Sequence, residues 1–207
     1  MEQPPKRTAA GNAAKGGAAA TTIALILAGV YSVEGGYVNS RNDPGGATNY
    51  GITEQVARRA GYAGNMKAFP KHCDGPAHAC ADDIYVSQYI EAPGYMPLVT
   101  IEPAVAHKLV DTAVNMGPGR PTQWFRESLG LHNVGKLGPA DYAAYQDLQA
   151  RVGALPACKI TLRILDVKQD GEYRRLVARN PKLKVFLKGW LANRVGNVKP
   201  SECGGLA

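Results

Sequence analysis

The 207-residue sequence has no segment with a sustained alternation of apolar and polar residues, so it does not predict an extensive β-sheet. Its 24 glycines follow no G-X-Y period, which excludes a collagen helix. Apolar residues make up 45% of the chain and charged residues 20%, a composition that excludes a fully disordered protein. We therefore expect a mainly α-helical protein with at most a small β-hairpin near residues 37–52.

A clear signal peptide is also lacking, because no small-residue cleavage site follows the basic residues near the start. Residues 1–20 are rich in Ala and Gly and predict a flexible tail. Residues 16–33 carry no charge over 18 positions, but the first ten of these include six Gly or Ala. This weak hydrophobicity favours a buried helix from Thr21 onwards. The alternative is a weak anchor, with transient association of residues 16–33 with the inner membrane.

Positive charge is concentrated in the last quarter of the chain. The protein has a net charge of +7, and residues 151–207 hold 12 Lys/Arg against 4 Asp/Glu, a balance of +8. Residues 1–150 hold the remaining 12 Lys/Arg and 13 Asp/Glu, a balance of −1. This positive region is suited to binding a polyanion. The alternative is an ordinary charged surface that only contacts solvent. Nucleic acid is not expected as the partner, because no nucleic-acid-binding motif is present.

Cysteine is scarce but even in number. The most economical pairings are Cys73–Cys80 and Cys158–Cys203, and disulfides would place the protein in an oxidising compartment such as the periplasm. Free thiols are one alternative. The other is a zinc site, although the spacing matches no standard zinc motif; its ligands would be His72, Cys73, His78 and Cys80.

Helical periodicity appears through much of the chain. Thr53 predicts an N-cap for a helix that stops near Gly61, and a further helix begins at Ala81. Apolar residues at helical spacing predict a buried face over residues 103–117, made by Val105, Leu109, Ala113 and Met116. Helices are also expected near residues 121–131 and 138–155. Two more should close the chain, from Asp170 and from Pro181.

Two carboxyl groups stand in contrasting settings. Glu34 ends an apolar helix and precedes Gly-Gly, and low-dielectric surroundings raise a carboxyl pKa, as a general acid requires. Asp43 follows in a tight Asp-Pro-Gly-Gly turn, whose amides would keep it ionised, and Thr48 comes five residues later. Two such carboxyls across a loop form the pattern used for glycoside cleavage.

The string EGGYVNSRNDPGGATNYGIT, residues 34–53, resembles the signature of the glycoside hydrolase 108 family of peptidoglycan muramidases. Two later segments are also similar to the family: LVDTAVNMGPGRPTQWFRESLGL, with its Asp, Asn and Gly, and FLKGWLANRV, with its Gly-Trp and Asn-Arg. The resemblance covers about residues 22–196. It implies a lysozyme-like fold, with a catalytic region at 21–117, a basic peptidoglycan-binding-type region at 118–200 and a tail at 201–207.

The resemblance also implies residue roles. Glu34 corresponds to the family's catalytic acid. The order Glu, eight residues, Asp is similar to that of the T-even phage lysozymes, where a Thr follows, so Asp43 and Thr48 are the second carboxyl and the water-positioning group. The predicted substrate-binding residues are Tyr37, Asn49 and Tyr50, together with Tyr85 and Tyr89, which resemble the family's tyrosine pair.

The implied protein is a monomeric endolysin-type muramidase that needs no cofactor or metal and acts on peptidoglycan in the periplasm or at the cell wall. A phage protein would be made in the host cytoplasm, and a secreted bacterial enzyme fits as well. Two other functions stay open. A lytic transglycosylase would use Glu34 alone, and a wall-binding module would have lost catalysis.

Overall fold

The computed structural model describes residues 9–33, 36–39, 46–73 and 79–204, and helices dominate this part of the chain. The only sheet found there is a two-stranded antiparallel hairpin, so the predicted mainly α-helical fold with a small hairpin is confirmed. The elements are α1 (Ala9–Val33), β1 (Thr48–Asn49), β2 (Ile52–Thr53), α2 (Glu54–Arg59), α3 (Ala81–Tyr85), α4 (Met96–Ile101), α5 (Pro103–Met116), α6 (Gly119–Ser128), α7 (Pro139–Val152), α8 (Ala154–Arg179) and α9 (Lys184–Asn193). Short 3₁₀ turns cover Met66–Ala68, Pro181–Leu183 and Pro200–Glu202, and a π-helix covers Val86–Glu91.

Helix α1 begins earlier than the sequence predicts. It starts at Ala9 rather than near Thr21, so the structure places residues 9–20 of the expected tail in the helix. Seven of these twelve residues are Ala, the best helix former, which outweighs the three glycines. Further along, Ile26 and Val30 are completely buried, as a buried helix requires. Among the described residues, no helix is both long and apolar enough to cross a membrane.

Helix α5 lies at the centre of the molecule, in contact with α1, α4, α6 and α8. The predicted residues Val105, Leu109 and Ala113 are fully buried, but so are Ala106 and Val110, because neighbours surround the helix. Helix α1 approaches α5 closely at Gly29, where a methyl group would lie 2.5 Å from Nε2 of His107. A side chain at position 29 would therefore force the largely buried His107 ring to move.

Other predicted helix ends are also found. The Thr53 side chain accepts a hydrogen bond from the Val56 amide at 3.4 Å and caps α2, and Gly61 follows the helix with a positive φ. Helix α3 begins at Ala81 and continues directly into the π-helix. The sequence interpretation is wrong about α8, which begins at Ala154 rather than near Asp170. Its third residue, Pro156, is tolerated because the first turn of a helix needs no intrahelical amide donor.

The predicted regions 21–117 and 118–200 share one hydrophobic core. The same cluster contains Ile26 and Leu109 from the first region, and Phe125 and Leu162 from the second. The interpretation of residues 201–207 as a tail is corrected in part, because Cys203 is only 8% exposed and forms a disulfide with Cys158. A covalent bond and burial hold this part of the C-terminal segment against the core.

Candidate active site

The predicted catalytic carboxyls, Glu34 and Asp43, lie outside the described residues, and their roles remain predictions. The structure does describe the chain on either side of them. Helix α1 ends at Val33, directly before Glu34. The segment after Asp43 is described from Gly46 onwards. The candidate site is therefore built from the elements that flank these two positions.

A small β-structure joins the segments that follow the two carboxyls. Val38 and Thr48 form an antiparallel bridge, in which the Val38 amide donates to the Thr48 carbonyl at 2.8 Å and the Thr48 amide donates back at 2.7 Å. Thr48 also pairs with Thr53 across the hairpin. The backbone of Thr48 is thus fixed, and its side chain is half-buried.

The hairpin turn contacts both α1 and α3. Tyr50 and Gly51 both have positive φ, at 51° and 76°, a combination typical of a tight two-residue hairpin turn. The Tyr85 hydroxyl donates to the Tyr50 carbonyl at 2.8 Å. The Tyr50 ring also packs edge-on against Tyr31, with 6.2 Å between ring centroids. These contacts fix the hairpin relative to the last turn of α1.

The predicted substrate-binding residues fall into two groups. Asn49 is 4% exposed and donates its side-chain amide to the Met66 carbonyl at 2.9 Å, and Tyr85 is 1% exposed. Both side chains are buried and position the hairpin in this structure, and their sugar-binding role stays a prediction. Open surface remains on Tyr37, which is 40% exposed, and on the half-buried rings of Tyr50 and Tyr89.

A polar cluster beside the end of α1 is absent from the predicted site residues. The Tyr31 hydroxyl donates to Oδ1 of Asp82 at 2.5 Å, and the other carboxylate oxygen lies 2.7 Å from Nδ1 of His72. Nζ of Lys71 lies 4.3 Å from the centroid of the Tyr31 ring. Burial, reinforced by the hydrogen bond to Asp82, raises the pKa of Tyr31 far above its usual value, so Tyr31 acts as a neutral donor.

The predicted disulfide Cys73–Cys80 joins the two segments that carry His72 and Asp82. His72 directly precedes the first cysteine, and Asp82 follows the second by two residues. Oxidised cysteines are not thiolate ligands, so the structure does not support the alternative zinc site with His72, Cys73 and Cys80. The fourth proposed ligand, His78, lies outside the described residues.

A buried ion pair connects two of the segments that resemble the glycoside hydrolase family. Nη1 of Arg194, from the closing segment, lies 2.8 Å from Oδ1 of Asp111 on α5. One turn before Asp111, Lys108 is 1% exposed, and its Nζ lies 2.6 Å from Oδ1 of Asp166 and 2.8 Å from the Arg194 carbonyl. Burial lowers the pKa of Lys108, and the Asp166 carboxylate opposes that change. The motif residues Asp111 and Arg194 therefore hold the closing helix against the central helix.

Comparison with known proteins agrees with the sequence resemblance. The model of the family described as glycosyl hydrolase 108 matches residues 27–117. The solved structure of SagA from Brucella abortus is similar to this chain, with a TM-score of 0.64 and 27% sequence identity. The similarity covers 88% of this chain and 94% of that one. No curated protein sequence matches at a significant level.

The family match spans the last turns of α1, the hairpin, α3 and all of α5, so it contains both the predicted carboxyls and the framework around them. The similarity to SagA extends over the C-terminal helices as well. Together these findings support a glycoside hydrolase, and the predicted resemblance is confirmed: residues 27–117 match the model of glycosyl hydrolase family 108.

Proposed function

We propose that the protein is a muramidase that hydrolyses the β-1,4 bond between N-acetylmuramic acid and N-acetylglucosamine in bacterial peptidoglycan. The observation that carries this proposal is the family match over residues 27–117, which includes the whole string from Glu34 to Thr53. Peptidoglycan as the substrate follows from the resemblance to a family of muramidases. The basic C-terminal region suits the lactyl and stem-peptide carboxylates of that polymer.

In this proposal, Glu34 protonates the bridging glycosidic oxygen as the bond breaks. Asp43 orients a water molecule or stabilises the oxocarbenium-like transition state, and Thr48 positions the water. The fixed backbone of Thr48 supports its role, since both its amide and its carbonyl are bonded to Val38. A separation of about 6.5–9.5 Å between the two carboxyls would give inversion, and about 5 Å would give retention.

The proposed place of action is the periplasm or the cell wall, as for an endolysin or a secreted bacterial muramidase. The disulfides Cys73–Cys80 and Cys158–Cys203 support it, since disulfides persist in oxidising compartments. We propose a monomer, because a glycan strand can be cleaved by a single chain.

The decisive experiment is mass analysis of muropeptides released from purified peptidoglycan by the wild type and by Glu34→Gln. The wild type should release products with reducing N-acetylmuramic acid ends. Glu34→Gln should reduce release by about 10²-fold or more, since general acid catalysis contributes about 10²–10⁴-fold. Glu91→Gln, at an exposed position of the π-helix, is the matched control and should retain full activity.

Each alternative function has its own result in this experiment. Anhydro ends that survive Asp43→Asn would indicate a lytic transglycosylase that uses Glu34 alone. Binding to peptidoglycan without any release would indicate a wall-binding module. Equal activity of wild type and Glu34→Gln would remove Glu34 from the proposed mechanism.

A further inference from the structure

Three aromatic rings form a stack between α8 and α9, away from the small hairpin. Trp190 stacks on Tyr173 with 5.0 Å between ring centroids and an angle of 20° between the planes. Phe186 stacks on Trp190 at 5.8 Å and 27°. Tyr173 is buried, whereas Phe186 is 54% exposed. The stack therefore begins in the core and ends in an open aromatic surface.

A cavity of about 320 Å³ lies beside these rings. Phe186 and Trp190 line it together with the exposed amide side chains of Asn115 and Asn193. The Tyr173 hydroxyl donates to Oδ1 of Asn115 at 2.7 Å and so fixes that amide. The cavity thus combines open aromatic carbon with a fixed polar group.

A glycine keeps this cavity open. Gly189 lies within α9 and lines the cavity, and a methyl group built on it would have no atom within 4 Å. Glycine is unfavourable in the interior of a helix. No packing contact forbids a side chain here, so a larger residue would fit the fold and fill the cavity.

The chain segment that carries the stack is rich in positive charge. Residues 173–201 contain eight Lys or Arg residues and no Asp or Glu. Three of the eight form ion pairs with carboxylates outside the segment, and the others are exposed: Arg179, Lys182, Lys184, Lys188 and Lys199. An anionic polymer is therefore attracted to this part of the surface. A membrane or a second copy of the chain that covered the aromatic surface with apolar groups would bury the exposed Asn193 amide without supplying a new polar partner.

We propose that the Tyr173–Trp190–Phe186 stack and its cavity form a sugar-binding subsite for the glycan strand. The inference rests on the proposed muramidase function. The apolar C–H face of a pyranose ring packs on the open aromatic surface, and the two amides bond to hydroxyl or acetamido groups. Phe186 and Trp190 are the specificity-determining residues for this contact.

The test uses Gly189→Leu, which fills the cavity, and compares it with Gly171→Leu. Gly171 is an exposed glycine in the interior of α8, where a methyl group would also meet no atom within 4 Å. Both substitutions are made in the Glu34→Gln background so that sugars stay intact. Binding of a soluble, uncharged N-acetylglucosamine oligomer should weaken about tenfold in Gly189→Leu and remain unchanged in Gly171→Leu. The midpoint of thermal unfolding should not fall in either variant.

A second pair of variants tests the ring itself. Phe186→Ala should weaken oligomer binding, and Phe186→Tyr should restore it, because the tyrosine keeps an aromatic face. Equal binding by Gly189→Leu and Gly171→Leu would overturn the subsite. The subsite would also be overturned if the protein bound peptidoglycan only at low salt and did not bind the uncharged oligomer. Charge alone would then explain the binding to peptidoglycan. If Gly189→Leu lost binding to anionic lipid vesicles but kept its binding to the oligomer, the stack would be a membrane-binding surface instead.

The subsite and the proposed function can fail separately. If the enzyme with Glu34 intact releases no muropeptides but Gly189→Leu still loses oligomer binding, the muramidase proposal falls and the subsite stands as a sugar-binding site. If release is normal and the two leucine variants behave alike, the muramidase stands and the subsite falls.

Discussion

The two disulfides close loops of very different length in two differently built regions. Cys73–Cys80 spans 7 residues beside the candidate site, where α2 and α3 have only six and five residues. Cys158–Cys203 spans 45 residues and ties the chain end to α8, a helix of 26 residues. A longer closed loop restricts the unfolded chain more. The long disulfide therefore serves global stability, whereas the short one fixes side chains locally.

The largest effect on stability should come from Cys158→Ala/Cys203→Ala. Loop-closure entropy gives about 4 kcal/mol for a loop of this length, so the free energy of unfolding should fall by roughly that amount. Urea denaturation of the oxidised proteins measures it. The proposed glycosidase activity per folded molecule should stay near that of the wild type, because the candidate site lies near the other disulfide. A smaller loss of stability than in the short-loop variant would contradict the comparison.

Removal of the short disulfide should lower stability less and the proposed activity more. In Cys73→Ala/Cys80→Ser the serine keeps an acceptor for the Asp83 amide, which Sγ of Cys80 caps in the native protein at 3.4 Å. Loop closure predicts a loss of only about 2.5 kcal/mol. Muropeptide release should nevertheless fall, because His72 and Asp82 are no longer held against Tyr31, three residues before Glu34. Unchanged release would show that this cluster does not position Glu34 for its proposed role.

A smaller effect on the free energy of unfolding should depend on pH and arise near the Cys158–Cys203 disulfide. His107 is largely buried, and its Nδ1 lies 3.6 Å from Oε2 of Glu202, next to Cys203. Burial lowers the pKa of His107, although Glu202 and Asp111 oppose the change and Lys108 adds to it. Below about pH 6.5 the unfolded chain binds a proton that the folded protein does not, so stability is present above that pH and is lost as the pH falls.

The free energy of unfolding should change with pH by at most about 1.4 kcal/mol per pH unit for one such group. Denaturation curves between pH 7.5 and 5.5, in roughly half-unit steps chosen to span the ordinary histidine pKa, measure this slope. His107→Gln should remove it. A slope that survives the substitution would assign the pH dependence to other groups.

Local signals in the sequence predicted much of this framework. Thr53 identified the start of α2, and the apolar residues from Val105 to Ala113 identified the buried face of α5. Both features depend on residues close together in the chain. The two disulfide pairings followed from economy of spacing and are also found.

The side-chain clusters could not be predicted in this way, because they depend on packing between distant segments. Tyr31 and Asp82 are 51 residues apart, and Lys108 meets Gln169 across 61 residues. Asn49 and Tyr85 have the polar and aromatic character of sugar-binding residues, but only the fold shows that they point inward. The early start of α1 was missed because its glycines suggested a flexible chain.

The disulfide between Cys158 and Cys203 also changes what a protease can do to this protein. Trypsin-like enzymes cut after exposed basic residues, and three lie where α8 gives way to α9: Arg179 at the end of α8, Lys182 in the connection and Lys184 at the start of α9. A single cut there lies inside the closed loop, so both fragments stay joined through the disulfide. Helix α9 and its aromatic rings would therefore remain attached to the nicked protein.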